Sequence, residues 1–218
     1  MDIFISYLFS PETRFLYFSW VVIVVISIVL HELAHGLAAI KCGDDTPVRL
    51  GRMTANPLVH MGPFSLFALF VMGIAWGAMP IDPSKLRGKY AEAYVAMVGP
   101  LTNVSIAMAS LVVGGLLVRF NLLLPDPHQT QRLLQFLLTA GYANLFLAAF
   151  NLFPIPPLDG AHVLANYSRG YATLVSDPSK QGIWIIGFIF AVAVSWEMTP
   201  YFYDVAASVF NFVAVSGM

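Results

Sequence analysis

Long runs of apolar residues, separated by shorter polar stretches, dominate the pattern of hydrophobic and polar positions along this chain. A helix rises about 1.5 Å per residue, so roughly 20 apolar residues are needed to cross the hydrocarbon core of a bilayer. Three runs reach that length, at about 15–40, 94–117 and 133–153, and a shorter run lies at 182–196. The pattern therefore predicts an all-α polytopic membrane protein with a core of three transmembrane helices.

The C-terminal part of the chain is less clearly divided. A weaker apolar block at 202–216 follows the pair Thr199–Pro200, where proline is expected to break a helix. The block carries Asp204 and fits either a further span or a segment at the membrane interface. We therefore predict one or two C-terminal helices over about 182–216.

Composition supports a membrane protein and narrows its partners. Hydrophobic residues make up 58% of the 218 positions and charged residues 11%, whereas a soluble domain carries about 25% charged residues. The net charge of −1 and the absence of a basic tract argue against a nucleic-acid partner. The single cysteine, Cys42, excludes an internal disulfide and a metal site built from several cysteines.

One apolar run contains ionisable side chains that an ordinary span would not carry. The stretch VVIVVISIVLHELAHGLAAI holds His31, Glu32 and His35 in the spacing H-E-x-x-H. Residues i and i+4 share a helix face, so both imidazoles can bind one zinc ion while the glutamate serves as general base. A charged group at the centre of a bilayer costs about 2.5–3.5 kcal/mol. The presence of these ionisable side chains within an apolar run therefore indicates a functional site.

Catalytic zinc normally takes three protein ligands, so a third ligand must come from elsewhere in the chain. Asp159 is the best candidate, because NLFPIPPLDG ends an apolar run and its three prolines break the helix. Gly160 would permit a sharp turn beside it. The other side chains considered as ligands are Cys42, His60, Glu92, His128, His162, Glu197 and Asp204.

At this point the motifs resemble a known family. HELAHG in a membrane helix, followed by NLFPIPPLDG at the end of a later one, resembles the site-2 protease family of intramembrane zinc metalloproteases. GRMTANPLVH and GPLTN also resemble motifs of its compact bacterial and archaeal members, although many relatives carry an acidic residue where Gly62 stands. No PDZ-like or CBS-like domain accompanies these motifs. We therefore expect a single membrane domain over 1–218, with its catalytic core at about 15–165.

The resemblance implies a site. His31, His35 and Asp159 would bind one Zn²⁺ per chain, and Glu32 would be the catalytic base. Asn103, in GPLTN, would face the site from the intervening span and could stabilise the oxyanion, or it could simply bond another helix. His162 could orient the carboxylate of Asp159 or lie at the surface.

The short apolar block at 62–80 bears on topology. A shared metal requires both ligand-bearing helices to run in the same direction. With one clear span between them, at 94–117, this holds only if 62–80 does not cross the membrane. We therefore predict a re-entrant or short extended segment there, because irregular backbone at membrane depth is tolerated when protein buries it.

Basic residues are divided unequally by this topology. Eight fall on one side: Lys41, Arg49, Arg52, Lys85, Arg87, Lys89, Arg169 and Lys180. Three fall on the other: Arg14, Arg119 and Arg132. Cytoplasmic loops carry an excess of Lys and Arg. We therefore expect an active site nearer the cytoplasmic face of a prokaryotic cell membrane.

The sequence thus predicts a zinc-dependent intramembrane endopeptidase that cuts transmembrane proteins or peptides within the lipid bilayer. A catalytically silent homologue that binds membrane proteins is one alternative, although it would not need Glu32. A metal or proton transporter is another, although no paired repeat with broken helices is present. The substrate and the oligomeric state stay open.

Overall fold

Eight α-helices make up most of the part of the chain that this computed structural model describes, residues 3–215, and none of these residues lies in a β-strand. The helices are α1 (Arg14–Lys41), α2 (Thr46–Arg49), α3 (Pro57–Met72), α4 (Ala91–Arg119), α5 (Pro127–Asn151), α6 (Asp159–Tyr167), α7 (Arg169–Ser176) and α8 (Gln181–Val215). Short 3₁₀ turns lie at Phe4–Leu8, Pro83–Lys85 and Pro178–Lys180.

Four of the described helices are long and apolar enough to cross a membrane. These are α1, α4, α5 and α8, the last counted with the turn before it as Pro178–Val215. The all-α polytopic class is confirmed. The break expected at Thr199–Pro200 is absent, because α8 continues through Pro200 as one helix of 35 residues. Proline removes one backbone hydrogen bond, and α8 buries residues on both sides of it, such as Ser195 and Ala206.

Helix α4 is the centre of the bundle and packs against α1, α5, α6 and α8. Small residues allow these helices to approach closely, as is common in membrane bundles. Gly114 and Gly115 lie against Phe210 and Val213 of α8, where a Cβ would collide with these side chains.

The block at 62–80 folds back on itself. Helix α3 begins where the Asn56 side chain accepts a hydrogen bond from Leu58 N at 3.0 Å. It is interrupted at Gly62 and ends at Met72, and the next residue, Gly73, has a φ of 75° that favours glycine. Beyond this point the chain continues without regular secondary structure to residue 82. We name residues 73–82 the strap.

The strap returns along α3 towards its beginning. Ser65 Oγ bonds both the N–H and the C=O of Trp76, at 2.8 and 2.7 Å, and Ala78 N donates to His60 O at 3.0 Å. Residue 78 therefore lies beside residue 60, so the segment folds back on itself, as predicted.

Helix α6 is fastened to the beginning of α4. His162 Nδ1 lies 3.3 Å from Glu92 Oε1. Asn166 Nδ2 donates to Lys89 O at 3.3 Å. The rings of Tyr90 and Tyr167 stack with their centroids 5.3 Å apart. These contacts bring the first residue of α6, Asp159, beside α1.

Candidate metal centre

Helix α1 places two imidazoles on one face. His31 and His35 are buried, and their Nε2 atoms lie 2.9 Å apart. They occupy successive turns, as the i, i+4 spacing predicts. The two rings are close to perpendicular, at 81°. This arrangement directs both Nε2 atoms at the same small volume.

The second nitrogen of each imidazole already has an oxygen partner on α4. His31 Nδ1 lies 2.6 Å from Asn103 Oδ1, and His35 Nδ1 lies 2.7 Å from the carbonyl oxygen of Val95. An oxygen acceptor assigns the ring proton to Nδ1, which leaves the Nε2 lone pair free. Both histidines are therefore held in the tautomer that binds a metal through Nε2.

Asp159 completes the cluster from α6. Its Oδ2 lies 3.1 Å from His31 Nε2 and its Oδ1 lies 3.3 Å from His35 Nε2. The chain reaches this point through the proline-rich segment after α5. Gly160 is required there, because a Cβ would collide with the backbone of Leu152.

The donor set fits a zinc ion. Among residues 3–215, these three side chains form the only group of at least three His, Cys, Asp or Glu ligand atoms that lie within 4.8 Å of one another. Ligands at about 2.0–2.2 Å from tetrahedral zinc lie about 3.3–3.6 Å apart, close to the observed 2.9–3.3 Å. Two lone pairs and a carboxylate directed at one point repel each other unless a cation lies between them. The buried Oδ2 of Asp159 also lacks a hydrogen bond.

Glu32 lies beside this cluster, buried and facing the strap. A Cβ at Gly77 would lie 2.5 Å from Glu32 Oε1 and 2.7 Å from Ile28 Cγ2, so only glycine allows the strap to approach this closely. Gly99 of α4 plays the same part on the other side, since a Cβ there would lie 2.6 Å from His31 Nε2. The two glycines thus allow the backbone of the strap and the backbone of α4 to approach the site closely from two sides.

A cavity of about 720 Å³ opens beside the cluster. The strap lines one side of it, including Met79, and Phe150 of α5 and Phe188 of α8 line another. Glu32 and Asp159 both face this space. The arrangement provides a mostly apolar cavity with a buried carboxylate, Glu32, and a candidate metal site in its wall.

Asn103 belongs to a buried hydrogen-bond chain that the sequence analysis did not anticipate. Its Oδ1 faces His31, and its Nδ2 donates to Asn144 Oδ1 at 3.0 Å. Asn144 Nδ2 in turn donates to Ala140 O at 2.9 Å. Both asparagines are almost completely buried. The signal in the sequence that could have indicated Asn144 is the presence of an amide within the apolar run of α5.

The other candidate residues do not join the cluster. His162 faces Glu92 at the rim of the cavity rather than Asp159. The buried ring of His60 bonds Thr54 O at 2.6 Å. Asp204 and Glu197 are exposed on α8.

Comparison with known proteins gives one family. A sequence profile of peptidase family M50 matches residues 120–194, which include Asp159. The chain is 34% identical over 160 residues to "Putative zinc metalloprotease YwhC" of Bacillus subtilis, covering 69% of this chain and 72% of that protein.

Two further relatives carry similar names. "Putative zinc metalloprotease MJ0611" of Methanocaldococcus jannaschii is 31% identical over 174 residues, which are 73% of this chain and 77% of that protein. "Putative zinc metalloprotease Rip2" of Mycobacterium tuberculosis is 26% identical over 202 residues, which are 88% of this chain and 72% of that protein. No solved structure matches the chain significantly.

Proposed function

We propose that this chain hydrolyses peptide bonds in or near transmembrane segments of other proteins. The reason is that it belongs to peptidase family M50, the site-2 protease family of membrane metalloproteases. The observation that carries the proposal is the convergence of His31, His35 and Asp159 beside the buried Glu32, on the wall of a cavity between apolar helices. We assign one zinc ion per chain to the first three residues.

The chemistry divides between the metal and the protein. Zinc held by these side chains would activate water as a nucleophile near neutral pH and polarise the scissile carbonyl. Glu32 accepts a proton from the attacking water as the new C–O bond forms. It then returns this proton to the amide nitrogen as the C–N bond breaks. Because Glu32 is on the same helix as His31 and His35, α1 holds the base and the two histidine ligands in one rigid unit.

Asn103 contributes by orientation. Both polar atoms of its amide are engaged, one with His31 and one with Asn144. This orientation favours a role in holding the imidazole over the oxyanion role expected from sequence, because the oxygen of the amide faces His31 and the NH₂ group that would donate to an oxyanion faces Asn144. We therefore propose that Asn103 acts on the reaction through His31.

Substrate recognition is assigned to the strap. A transmembrane helix hides its carbonyls in backbone hydrogen bonds and must unwind before attack. Within the described chain, the backbone N–H groups of Gly77 and Met79 have no hydrogen-bond partner. An unwound, extended segment can pair with such groups in the manner of an added strand.

The same proposal locates the active site nearer the cytoplasmic face of a prokaryotic cell membrane. Its support is the excess of Lys and Arg on the side of the site, eight against three. Reporter tags inserted near Asn56 and near Asp82 are expected to map to the same side of the membrane.

The test compares wild type with Glu32→Gln and, as a matched control, Glu12→Gln, which changes an exposed glutamate. Zinc content and cleavage of a peptide with one apolar transmembrane segment are measured. We expect all three proteins to retain zinc, and Glu32→Gln to cleave about 10²–10⁴-fold more slowly.

Two results would contradict the proposal. Equal cleavage by Glu32→Gln and wild type would exclude Glu32 as the base. Wild-type protein that holds zinc but cleaves no membrane peptide would favour the silent homologue, which binds membrane proteins without cutting them.

A further inference from the structure

A buried carboxylate lies outside the candidate metal centre, just beyond the end of α1. The side chain of Asp44 is completely buried, although it belongs to a polar loop. Its Oδ1 accepts a hydrogen bond from Thr46 N at 2.9 Å, and its Oδ2 accepts one from Asp82 N at 2.7 Å. A buried carboxylate with two such partners connects parts of the chain that are 38 residues apart.

Asp44 holds the C-terminal end of the strap. Asp82 is the last residue of the strap, and the adjoining chain is tied to the same loop where Arg87 N donates to Cys42 O at 2.8 Å. Ile81 and Leu86 pack against the buried Ala38 and Ala39 of α1. The strap therefore ends on the helix that carries His31, Glu32 and His35.

Hydrogen bonds fix the strap at three places. Trp20 Nε1 bonds Gly73 O at 2.9 Å at its beginning, and α3 holds Trp76 and Ala78 in the middle. From Ala78 onwards, Asp82 N is the next strap atom with a hydrogen bond to any described residue. Met79 lies in this interval and packs against α1: a Cβ added at Gly36 would lie 3.0 Å from Met79 Cε.

We propose that Asp44 is a positioning residue that fastens the strap as one wall of the substrate cavity and so sets how tightly a substrate segment is bound. The expected effect of Asp44 on substrate binding rests on the proposed function. The structural part of the inference, the fastening of residues 79–82 to α1, stands independently of catalysis.

Charges around Asp44 support this role. Burial alone would raise the pKa of the Asp44 carboxyl, but the hydrogen bonds from Thr46 and Asp82 outweigh it and hold the pKa below its ordinary value. Lys85 Nζ lies 3.9 Å from Asp44 Oδ1 and 2.9 Å from Asp45 Oδ1. The carboxylate is therefore ionised at neutral pH, as its acceptor role requires.

Asp45 provides the matched control. It adjoins Asp44 and carries the same charge, but its side chain is exposed and pairs with Lys85 and Arg49 at the surface. Exposed pairs of this kind contribute little. Asparagine at position 44 offers one acceptor oxygen instead of two, so one buried N–H loses its partner.

The experiment measures backbone hydrogen–deuterium exchange in micelles for wild type, Asp44→Asn and Asp45→Asn. We expect the Asp82 amide, whose hydrogen bond to Asp44 is lost, to exchange at least about tenfold faster in Asp44→Asn, with α1 and α4 unchanged and Asp45→Asn like wild type. Exchange of the Asp82 amide that is unchanged in Asp44→Asn would overturn the inference.

A second variant covers the case in which Asp44→Asn loosens the whole protein, which faster exchange in α4 would reveal. Asp82→Pro removes the N–H that Asp44 accepts and leaves Asp44 in place. Faster exchange of the hydrogen-bonded Trp76 and Ala78 amides with α4 unchanged supports the inference, and no change at these two amides overturns it.

Kinetics separate a positioning role from a catalytic one. We expect Asp44→Asn to raise KM roughly 3- to 10-fold with kcat within about twofold, because loosening the wall weakens substrate binding and leaves Glu32 and the ligands in place. Zinc content should equal that of wild type. A fall in kcat at unchanged KM would contradict the assignment. Absence of cleavage by wild type would contradict the proposed function, and the exchange result would still decide whether Asp44 fastens the strap.

Discussion

Helices α1 and α8 carry the same signal in sequence and differ in structure. Each is a long apolar helix interrupted by ionisable residues, His31, Glu32 and His35 in α1, and Glu197 and Asp204 in α8. In α1, 61% of the most apolar window is buried within the protein, against 11% in α8. The three side chains of α1 are buried, and the two acids of α8 are exposed.

The difference lies in what the neighbouring helices offer. Around α1, helix α4 supplies an oxygen for each imidazole, and α6 supplies the Asp159 carboxylate. Around Glu197 and Asp204, no described residue supplies an opposite charge or a hydrogen bond. An ionisable residue in an apolar helix therefore indicates a site only where tertiary packing surrounds it with partners of suitable chemistry.

The largest expected effect comes from removing one of the proposed zinc ligands beside α1. Asp159→Ala and His35→Ala are each expected to leave purified protein with almost no zinc and no cleavage, because two donors hold the ion far less tightly than three. Elemental analysis of the purified proteins checks this. Zinc retained at the wild-type level in Asp159→Ala would exclude that carboxylate as a ligand.

An intermediate effect is expected one step away from the ligands. Asn144→Ala leaves the buried amide of Asn103 without its acceptor and loosens His31, so zinc affinity should fall about 10–100-fold. Competition with a chelator measures the affinity. Asn211→Ala, an exposed asparagine of α8, is the control and should bind zinc like wild type. Equal affinities for the two variants would show that the chain from His31 to Asn144 does not support the metal.

The smallest effect is expected on α8. Glu197→Gln and Asp204→Asn change exposed side chains and should leave thermal stability within about 0.5 kcal/mol of wild type. Zinc content and cleavage should also be unchanged. Loss of cleavage in either variant would show that α8 carries function through its exposed face, and the contrast with α1 would fail.

Local pattern accounts for much of the fold. Run length predicts the spans at α1, α4 and α5, because crossing a bilayer requires a minimum number of apolar residues. It fails at Pro200, where a local rule predicts a break and the packing of α8 on α4 and α5 keeps one helix. The requirement that both ligand-bearing helices run in the same direction predicts the fold-back of residues 62–80. The sequence did not predict that the first part of this segment is helical, and only the structure shows α3 there.

The candidate site shows the same division. The spacing of His31 and His35 predicts a shared helix face, but several side chains compete for the third position. Only the approach of α6 to α1 brings Asp159, and none of the others, to the imidazoles. Asn144 and Asp44 have no motif to mark them, because their importance comes from partners distant in sequence.

By itself, the sequence determined the membrane class, the helical spans and the pairing of two imidazoles with a glutamate, since helix period and apolar length are properties of neighbouring residues. Tertiary structure alone decided which carboxylate meets the imidazoles, which amides orient them and how the strap is held against Glu32. Those choices depend on contacts between segments 38 to 128 residues apart (Asp44 with Asp82, and His31 with Asp159), which no local pattern encodes.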